Sequence, residues 1–208
     1  MTPVAARPTQ ADRRARTRSA LLESAARGLF RYGYSNLTLE QVAADAGYTR
    51  GALYHLFANK EELALAVVEW VQETWYEHMG PLFAQTAAPG EALVAVARGH
   101  AVYCRRDVAR VMMSLRVEFS GQDHPVGRAV EAAVRKVLAD CARLITAARR
   151  KGEIPPGPPP RVLALALVGS LEGLVINLAG QAPLDEELAE RVARGILGIP
   201  PPGRRSHR

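Results

Sequence analysis

The sequence predicts an all-α protein of about nine helices, and three observations lead to that fold class. Helix-forming residues such as Ala, Leu, Arg and Glu recur along the whole chain of 208 residues. Apolar residues return every three or four positions, which is the period of an amphipathic helix, and strand-like alternation is absent. Gly and Pro interrupt these runs where helices end. A chain of this length is long enough for one large core or two small ones.

The first helix is predicted from Asp12 to about Tyr32. Its apolar stripe consists of Leu21, Leu22, Ala25, Ala26, Leu29 and Phe30. Gly33 ends it, because glycine closes a helix without a steric penalty. Four arginines crowd its start and favour either a basic arm along DNA phosphates or a solvated tail. Residues 1–10 contain two prolines and no periodicity, so we expect them to be disordered.

Two short helices follow between Thr38 and Phe57. Thr38 and Gln41 form a capping box, in which each side chain satisfies a free backbone N–H of the other residue. Gly47 ends the first of these helices and Thr49 begins the second. Two helices of about eight residues joined by a turn that contains glycine describe a helix-turn-helix. A plain helical hairpin with a polar outer face is the alternative.

The second helix of this unit has an outer face that suits the major groove of DNA. Hydroxyl groups can reach phosphates or bases, arginine can grip guanine, and small residues allow close backbone approach. Free backbone N–H groups at the start of the following helix can also hold a phosphate. The predicted DNA contacts are Thr38, Thr49, Arg50, Gly51, Ala52, Tyr54, His55 and Lys60.

The run 51–63 resembles the signature of the TetR family of transcriptional regulators. The residues that match it are Tyr54, Phe57, Lys60 and Leu63. Leu56 departs from the signature, since many members carry His there. The resemblance covers roughly residues 17–68. It implies a helix-turn-helix head and a helical domain that binds a small molecule and dimerises, with the fourth helix carrying the signal between them.

Charge also separates the two parts of the chain. Residues 1–60 hold nine Lys or Arg against four Asp or Glu, a net charge of +5 out of +6 for the whole chain. A basic third on a near-neutral remainder is typical of a nucleic-acid-binding module, and a solvated basic face is the alternative. Cys104 and Cys141 have no CxxC or His companions. We interpret both as buried residues in a reducing cytoplasm rather than as a disulfide or metal site.

Six helices are predicted beyond the head. The fourth runs from Asn59 to about Met79, where Gly80-Pro81 breaks it. The others are Glu91 to about Arg106, Asp107 to about Phe119, Val126 to Lys151, Arg161 to about Gly180, and Leu184 to Leu197. The expected domains are a DNA-binding head at 11–58 and a ligand-binding and dimerisation domain at 59–199, with a disordered tail at 200–208.

The eighth helix is apolar nearly all round, so both of its sides need cover. We therefore predict a homodimer joined by a four-helix bundle of helices eight and nine from both chains, with a monomer as the alternative. The predicted dimer contacts are Leu167, Leu171, Leu174, Leu178 and Val192. The apolar run 162–179 has about the length of a membrane span. Because it contains Glu172 and Asn177, we interpret it as a buried helix, with no membrane contact.

Aromatic, soft or polar residues interrupt the apolar helices of the second domain. The family resemblance makes them candidates for a pocket that binds an apolar or aromatic inducer, although a core position is the commoner role for each residue. The candidates are Trp75, Met79, His100, Tyr103, Met113, Phe119 and Asn177. Arg116 is either the ion-pair partner of Glu118 or a surface residue.

These observations predict a cytoplasmic, bacterial DNA-binding regulator, a repressor that a small molecule releases from a pseudo-palindromic operator. A DNA-binding protein without an inducer is the alternative, and a second domain packed solid would favour it. The sequence lacks paired carboxylates at fixed spacing, a Gly-rich phosphate loop, HExxH and GxSxG. We therefore expect no enzymatic activity, no cofactor, and no catalytic or metal-binding residues.

Overall fold

The structure is a computed structural model that describes residues 9–85 and 87–201, over which the chain is all-α, as predicted. The first four helices are α1 Gln10–Asn36, α2 Leu39–Asp45, α3 Arg50–Tyr54 and α4 Lys60–Phe83. A 3₁₀ turn at Asp107–Arg110 precedes the sixth helix. The remaining helices are α5 Pro89–Tyr103, α6 Val111–Glu118, α7 Pro125–Arg150, α8 Pro160–Leu178 and α9 Leu184–Leu197. Most of both predicted disordered tails, 1–8 and 202–208, lies outside the described residues.

Polar caps set the starts of the helices in the head. The Thr38 hydroxyl accepts from the Gln41 N–H at 3.2 Å, and the Gln41 side chain accepts from the Thr38 N–H at 3.3 Å. Thr49 caps α3, and the Asn59 side chain caps α4 by accepting from the Glu62 N–H at 2.8 Å. Each cap contributes about 1 kcal/mol. The predicted capping box and helix starts are confirmed.

The sequence predicts helix breaks at Gly33, which lies inside α1, and at Gly80-Pro81, which lies near the end of α4. Gly33 leaves the helical conformation with a φ of 75°, which confirms the predicted break in α1. The predicted break of α4 at Gly80-Pro81 is wrong, because Pro81 lies within the last turn and the helix continues to Phe83. Phe83 is buried on the second core, and this packing holds the last turn in place.

The first core begins in the head and continues beyond it. Its fully buried side chains include Leu21, Leu22, Leu29, Leu53 and Leu63. Side chains from the middle of the chain, among them Leu115 on α6 and Val126 on α7, belong to the same core. The head therefore packs directly against α6 and α7 of the second domain, across the predicted boundary at residue 58.

The second core lies between α5, α7, α8, α9 and the far half of α4. Ion pairs tie α5 to α9 along its edge. Arg105 donates to both oxygens of the buried Asp185 at 2.7 and 2.9 Å, and this contact lowers the pKa of that carboxyl. These pairs fix the outer wall of the second core.

One helix, α8, is long and apolar enough to cross a membrane by length and composition, and 22% of its apolar window is buried in the single chain. Leu167 and Leu171 face inward. Val162, Leu165 and Ile176 face outward and are 49%, 48% and 68% exposed. The single chain therefore covers only one side of this helix.

Candidate nucleic-acid interface and core cavity

The outer face of α3 carries predicted DNA contacts and is open to solvent. Tyr54 is 41% exposed. The other exposed positions are Thr49, Arg50, Gly51 and His55. Ala52 is half-buried, and Leu53 points into the core without exposed surface. The helix thus presents one polar face outside the head, while packing fixes its opposite face.

Arg50 is held above this face by two weak contacts. Its Nε lies 3.1 Å from a carboxylate oxygen of Glu40 on α2, and its guanidinium lies 5.2 Å from the centroid of the Tyr54 ring. Both side chains of the ion pair are exposed, and such pairs contribute little to stability. Arg50 can therefore exchange Glu40 for a phosphate or a guanine edge at small free-energy cost.

Lys60 and Thr38 have partners inside the head. The Lys60 ammonium donates to the carbonyl oxygens of Tyr34 at 2.8 Å and Ser35 at 3.2 Å. An ammonium has three donors, so one remains for a phosphate. The Thr38 hydroxyl takes part in the capping box. Both side chains shape the head itself, and DNA contact by either one stays a prediction.

The basic residues near the N-terminus lie on a helix rather than on an extended arm. Thr9 and Asp12 form a capping box that starts α1 ahead of them. Arg13, Arg14 and Arg16 are exposed and have no carboxylate within 4.0 Å among residues 9–85 and 87–201. The first turns of α1 therefore present free positive charge beside the head.

The second core contains a partly open cavity, which is lined by side chains of α4 to α8 and is almost entirely apolar. The space open to the centre of a water-sized atom is about 120 Å³. Four of the seven predicted pocket residues line it: Trp75, His100, Tyr103 and Met113. Met112 and Glu172, two further residues that interrupt the apolar helices, also line it, and sequence reasoning missed Gln72, Tyr76, Cys104 and Cys141.

The other three predicted pocket residues lie elsewhere. Met79 lines a separate groove between α4 and α5. Phe119 belongs to the first core, where its ring stacks on His124 with centroids 4.4 Å apart. Asn177 is exposed and donates to the Gly173 carbonyl at 2.7 Å. Aromatic or polar character on a helix does not say which side of that helix faces a cavity.

Most polar groups around the cavity are neutral. The His100 imidazole is half-buried, and burial lowers its pKa to about 4. Its Nδ1 lies 3.1 Å from the indole Nε1 of Trp75, which donates to it. Burial raises the pKa of the Cys104 and Cys141 thiols to about 12, so both remain protonated. Both cysteines are free and buried.

An ion pair joins the cavity wall to α6. Arg116 donates to the two oxygens of Glu172 at 2.8 and 3.0 Å, and its Nε donates to Glu131 at 3.1 Å. Burial raises the pKa of Glu172, and the positive charge of Arg116 works against that rise. Of the two alternatives for Arg116, the ion pair with Glu118 does not form, because Arg116 binds Glu172 and Glu131 instead.

Glu118 instead binds the backbone of the head. Its carboxylate accepts from the N–H groups of Tyr34 at 2.7 Å and Ser35 at 3.0 Å, and from the Ser35 hydroxyl at 3.2 Å. A side chain at Gly33 would bring its Cβ within 3.1 Å of this carboxylate. Glycine therefore serves both the backbone conformation and the close approach of Glu118.

Two of the five predicted dimer contacts lie inside the single chain. Leu167 and Leu171 line the cavity and are not available to a partner chain. Leu174, Leu178 and Val192 are half-buried. Gly169 has open space where a side chain would stand, and the outward apolar residues are Val162, Leu165 and Ile176. The exposed apolar face of α8 therefore lies on a different side of the helix from the face that we predicted for the dimer.

Comparison with known proteins identifies the family. The model described as "Bacterial regulatory proteins, tetR family" matches residues 21–67, and the model "Tetracyclin repressor-like, C-terminal domain" matches residues 92–196. The chain belongs to the TetR family. It is accordingly a DNA-binding transcriptional regulator with a helix-turn-helix head, and it functions as a homodimer.

Relatives of this TetR-family chain cover most of its length. It is 30% identical to the HTH-type transcriptional repressor AcnR of Corynebacterium glutamicum over 81% of this chain and 85% of AcnR. It is 29% identical to the A-factor receptor protein of Streptomyces griseus over 94% of this chain and 68% of the receptor. The solved SmeT–triclosan complex superposes with a TM-score of 0.70 at 26% identity, over 86% of this chain and 90% of SmeT.

Proposed function

We propose that this protein is a repressor that a small, mostly apolar molecule releases from its operator in the bacterial cytoplasm. The observation that carries the proposal is the cavity in the second core, because a regulator without an inducer needs no such space. The alternative of a DNA-binding protein without an inducer is less well supported for the same reason. Two relatives also support an inducible repressor: AcnR is named as a repressor, and SmeT was solved in complex with triclosan.

The DNA contacts we propose are those of the exposed face of α3, with Arg50 and Tyr54 at its centre. Because Arg50 is held by an exposed ion pair with Glu40 and by the exposed Tyr54 ring, it can turn toward the major groove. The exposed arginines at the start of α1 would add contacts to phosphates, which raise affinity for any sequence and make it salt-dependent. The α3 face therefore sets sequence preference, and α1 adds general affinity.

The dimer we propose joins the outward faces of α8 and α9 from two chains. Val162, Leu165 and Ile176 supply the apolar surface, and Gly169 allows the two α8 helices to approach closely. A two-fold dimer places two heads on one side of the DNA, so its site consists of two inverted half-sites. Covering this face also removes the exposed apolar surface of α8 from water.

The signal would pass from the cavity to the head along α6. Met112 and Met113 of α6 line the cavity, and Arg116 on the same helix binds Glu172 of the cavity wall. Two residues further on, Glu118 holds the turn where α1 leads into α2. A ligand that shifts α6 therefore moves the carboxylate that fixes this turn.

The fourth helix offers a second, parallel route. Its far half supplies Trp75 and Tyr76 to the cavity wall, and its first residue, Lys60, donates to the same turn that Glu118 holds. Both routes meet at Tyr34 and Ser35. Ligand binding lowers operator affinity to the extent that the ligand prefers the arrangement in which the two heads no longer fit the half-sites.

Selection of bound DNA from a random duplex pool, at about 0.15 M salt, tests this function. Wild type is compared with Tyr54→Ala and with Tyr32→Ala, which removes an equally exposed tyrosine from α1. We expect an inverted repeat from wild type and from Tyr32→Ala, and loss of that preference in Tyr54→Ala. Recovery of no preferred sequence, or of the same sequence by all three proteins, would contradict the proposal.

A further inference from the structure

The His100 imidazole on the cavity wall has an unused hydrogen-bond donor. The Trp75 indole N–H can only donate, so His100 Nδ1 must accept in their 3.1 Å hydrogen bond. The imidazole is neutral at physiological pH because burial lowers its pKa to about 4. A neutral imidazole with an accepting Nδ1 carries its proton on Nε2. The indole therefore fixes the tautomer, and Nε2–H is a donor.

The polar atom that lies near this donor is the Cys104 sulfur, which is not in line with the Nε2–H bond. Cys104 Sγ lies 3.7 Å from Nε2 and 3.8 Å from Nδ1. An acceptor in line with the Nε2–H bond would lie much closer to Nε2 than to Nδ1, and thiol sulfur is a weak acceptor. Among residues 9–85 and 87–201, Nε2 has no oxygen or nitrogen acceptor. An unpaired donor on the wall of an almost entirely apolar cavity gains a hydrogen bond when a ligand supplies the acceptor, so the site favours such a ligand.

The size and polarity of the cavity restrict that ligand further. About 120 Å³ for atom centres is roughly ten times the space that one water needs, which allows a ligand of about ten non-hydrogen atoms. Apart from His100 and the uncharged amide of Gln72, the wall near α4 and α5 is apolar or aromatic. Glu172 is the carboxylate that lines the wall among residues 9–85 and 87–201, and Arg116 already binds it. Charged ligands would lose hydration without gaining a partner.

We infer that the inducer is a small, uncharged, mostly apolar molecule with one carbonyl-type oxygen, which accepts a hydrogen bond from His100 Nε2–H. The inference rests on the proposed function and names the ligand class for the same cavity. Trp75 acts as a positioning residue, because its indole sets which nitrogen of His100 donates. The apolar body of the ligand lies against the aromatic and methionine side chains of the wall.

Four aromatic probes of equal size test this inference on the full-length protein. They are acetophenone, which has the carbonyl, α-methylstyrene, which replaces it with a carbon double bond, 1-phenylethylammonium, which is a cation, and benzoate, which is an anion. Binding is measured by calorimetry or by quenching of tryptophan fluorescence. We expect acetophenone to bind about fivefold more tightly than α-methylstyrene, the worth of one net hydrogen bond, and both ions to bind more weakly still.

Two variants connect that preference to His100. His100→Leu should bring acetophenone and α-methylstyrene to equal affinity, whereas Cys104→Ala should leave the fivefold ratio unchanged. The ¹⁵N NMR spectrum of wild type should show a His100 imidazole protonated at Nε2 and unprotonated at Nδ1. Trp75→Phe should make the tautomer mixed and reduce the ratio.

Several results would overturn the inference. These are tighter binding of either ion, a ratio that survives in His100→Leu, an Nδ1-protonated tautomer, or no binding of any probe at about 1 mM. The outcome is separable from that of the proposed function. If acetophenone binds through His100 and the operator complex is unaffected, the site stands and inducible repression does not. If another ligand releases the operator without this preference, the reverse holds.

Discussion

The two cores of this molecule differ in what fills them. The first consists largely of buried leucines and valines, such as Leu22, Leu53 and Val67, which pack the head against α4 and α6. The second mixes small and soft residues such as Cys104, Met113 and Cys141 around open space. The head must keep a fixed shape to match DNA, whereas the second core must admit a ligand. Packing in the first and space in the second follow from these two tasks.

The largest expected difference concerns the loss of a leucine. Leu53→Ala opens a new cavity in a packed core and should lower the free energy of unfolding by about 3 to 5 kcal/mol. Leu171→Ala only enlarges an existing space, where the side chain already lacks neighbours on one side, and should lower it by about 2 kcal/mol. Urea denaturation of both variants measures this, and equal losses would remove the contrast between the cores.

Acid should weaken the second core first. The His100 pKa is about 4 in the folded protein against an ordinary 6.5, so the unfolded chain takes up a proton as the pH falls below 6.5 and the folded one does not. Stability is full above that pH and should fall by about 2 kcal/mol between about pH 7 and pH 5. Glu172 opposes part of this loss, because its raised pKa makes the folded protein take up a proton earlier.

The control for this pH effect is His100→Leu, in which that part of the acid sensitivity should disappear. The other titratable groups around the cavity besides Glu172 are Tyr76, Tyr103, Cys104 and Cys141, whose pKa values burial raises, so they stay neutral in this range. Unfolding curves followed by tryptophan fluorescence at both pH values give the comparison. An unchanged pH dependence in His100→Leu would assign the loss to another group.

Replacing an alanine with leucine should destabilise the first core and leave the stability of the second core nearly unchanged. Ala25→Leu adds three carbons to a position of the head without exposed surface and should lower the free energy of unfolding by about 1 to 3 kcal/mol. Ala133→Leu points the added carbons into the cavity and should change stability by less than about 1 kcal/mol while weakening probe binding. Calorimetric unfolding checks both, and a large loss in Ala133→Leu would mean that the cavity is closed to added atoms.

The smallest effect is expected at the junction between the two cores. Glu118→Gln replaces a carboxylate that accepts three hydrogen bonds with an amide that has only one accepting oxygen. The turn at Tyr34 and Ser35 should then open more easily, by about 1 kcal/mol, and its amides should exchange with solvent about fivefold faster. Glu131→Gln, which removes a partner of Arg116 instead, should leave this exchange unchanged.

The sequence predicts the head well because its signals are local. The capping box of Thr38 and Gln41 and the break at Gly33 each depend on neighbours within a few positions. Charge and the helix-turn-helix spacing identify the DNA-binding part without knowledge of any tertiary contact. Tyr54 on the exposed face follows from the same helical period that buries Leu53.

The second domain is less predictable because its helices are apolar on several sides. On α8 the period does not say that Leu167 faces the cavity and Leu165 faces outward. Phe119 fits a pocket by composition, but α6 crosses α1 and places this ring in the first core. The contact of Arg116 with Glu172 joins residues far apart in sequence, so no local sequence pattern predicts it.

Operator affinity with and without saturating acetophenone, in wild type and in Glu118→Gln, tests most directly whether the cavity is coupled to the head. For wild type we predict that the probe weakens operator binding by a factor between about 5 and 150, the usual range of coupling between two sites. In Glu118→Gln the factor should be smaller, because the contact between α6 and the turn at Tyr34 and Ser35 is weakened. An operator affinity that saturating probe leaves unchanged in wild type would contradict the account.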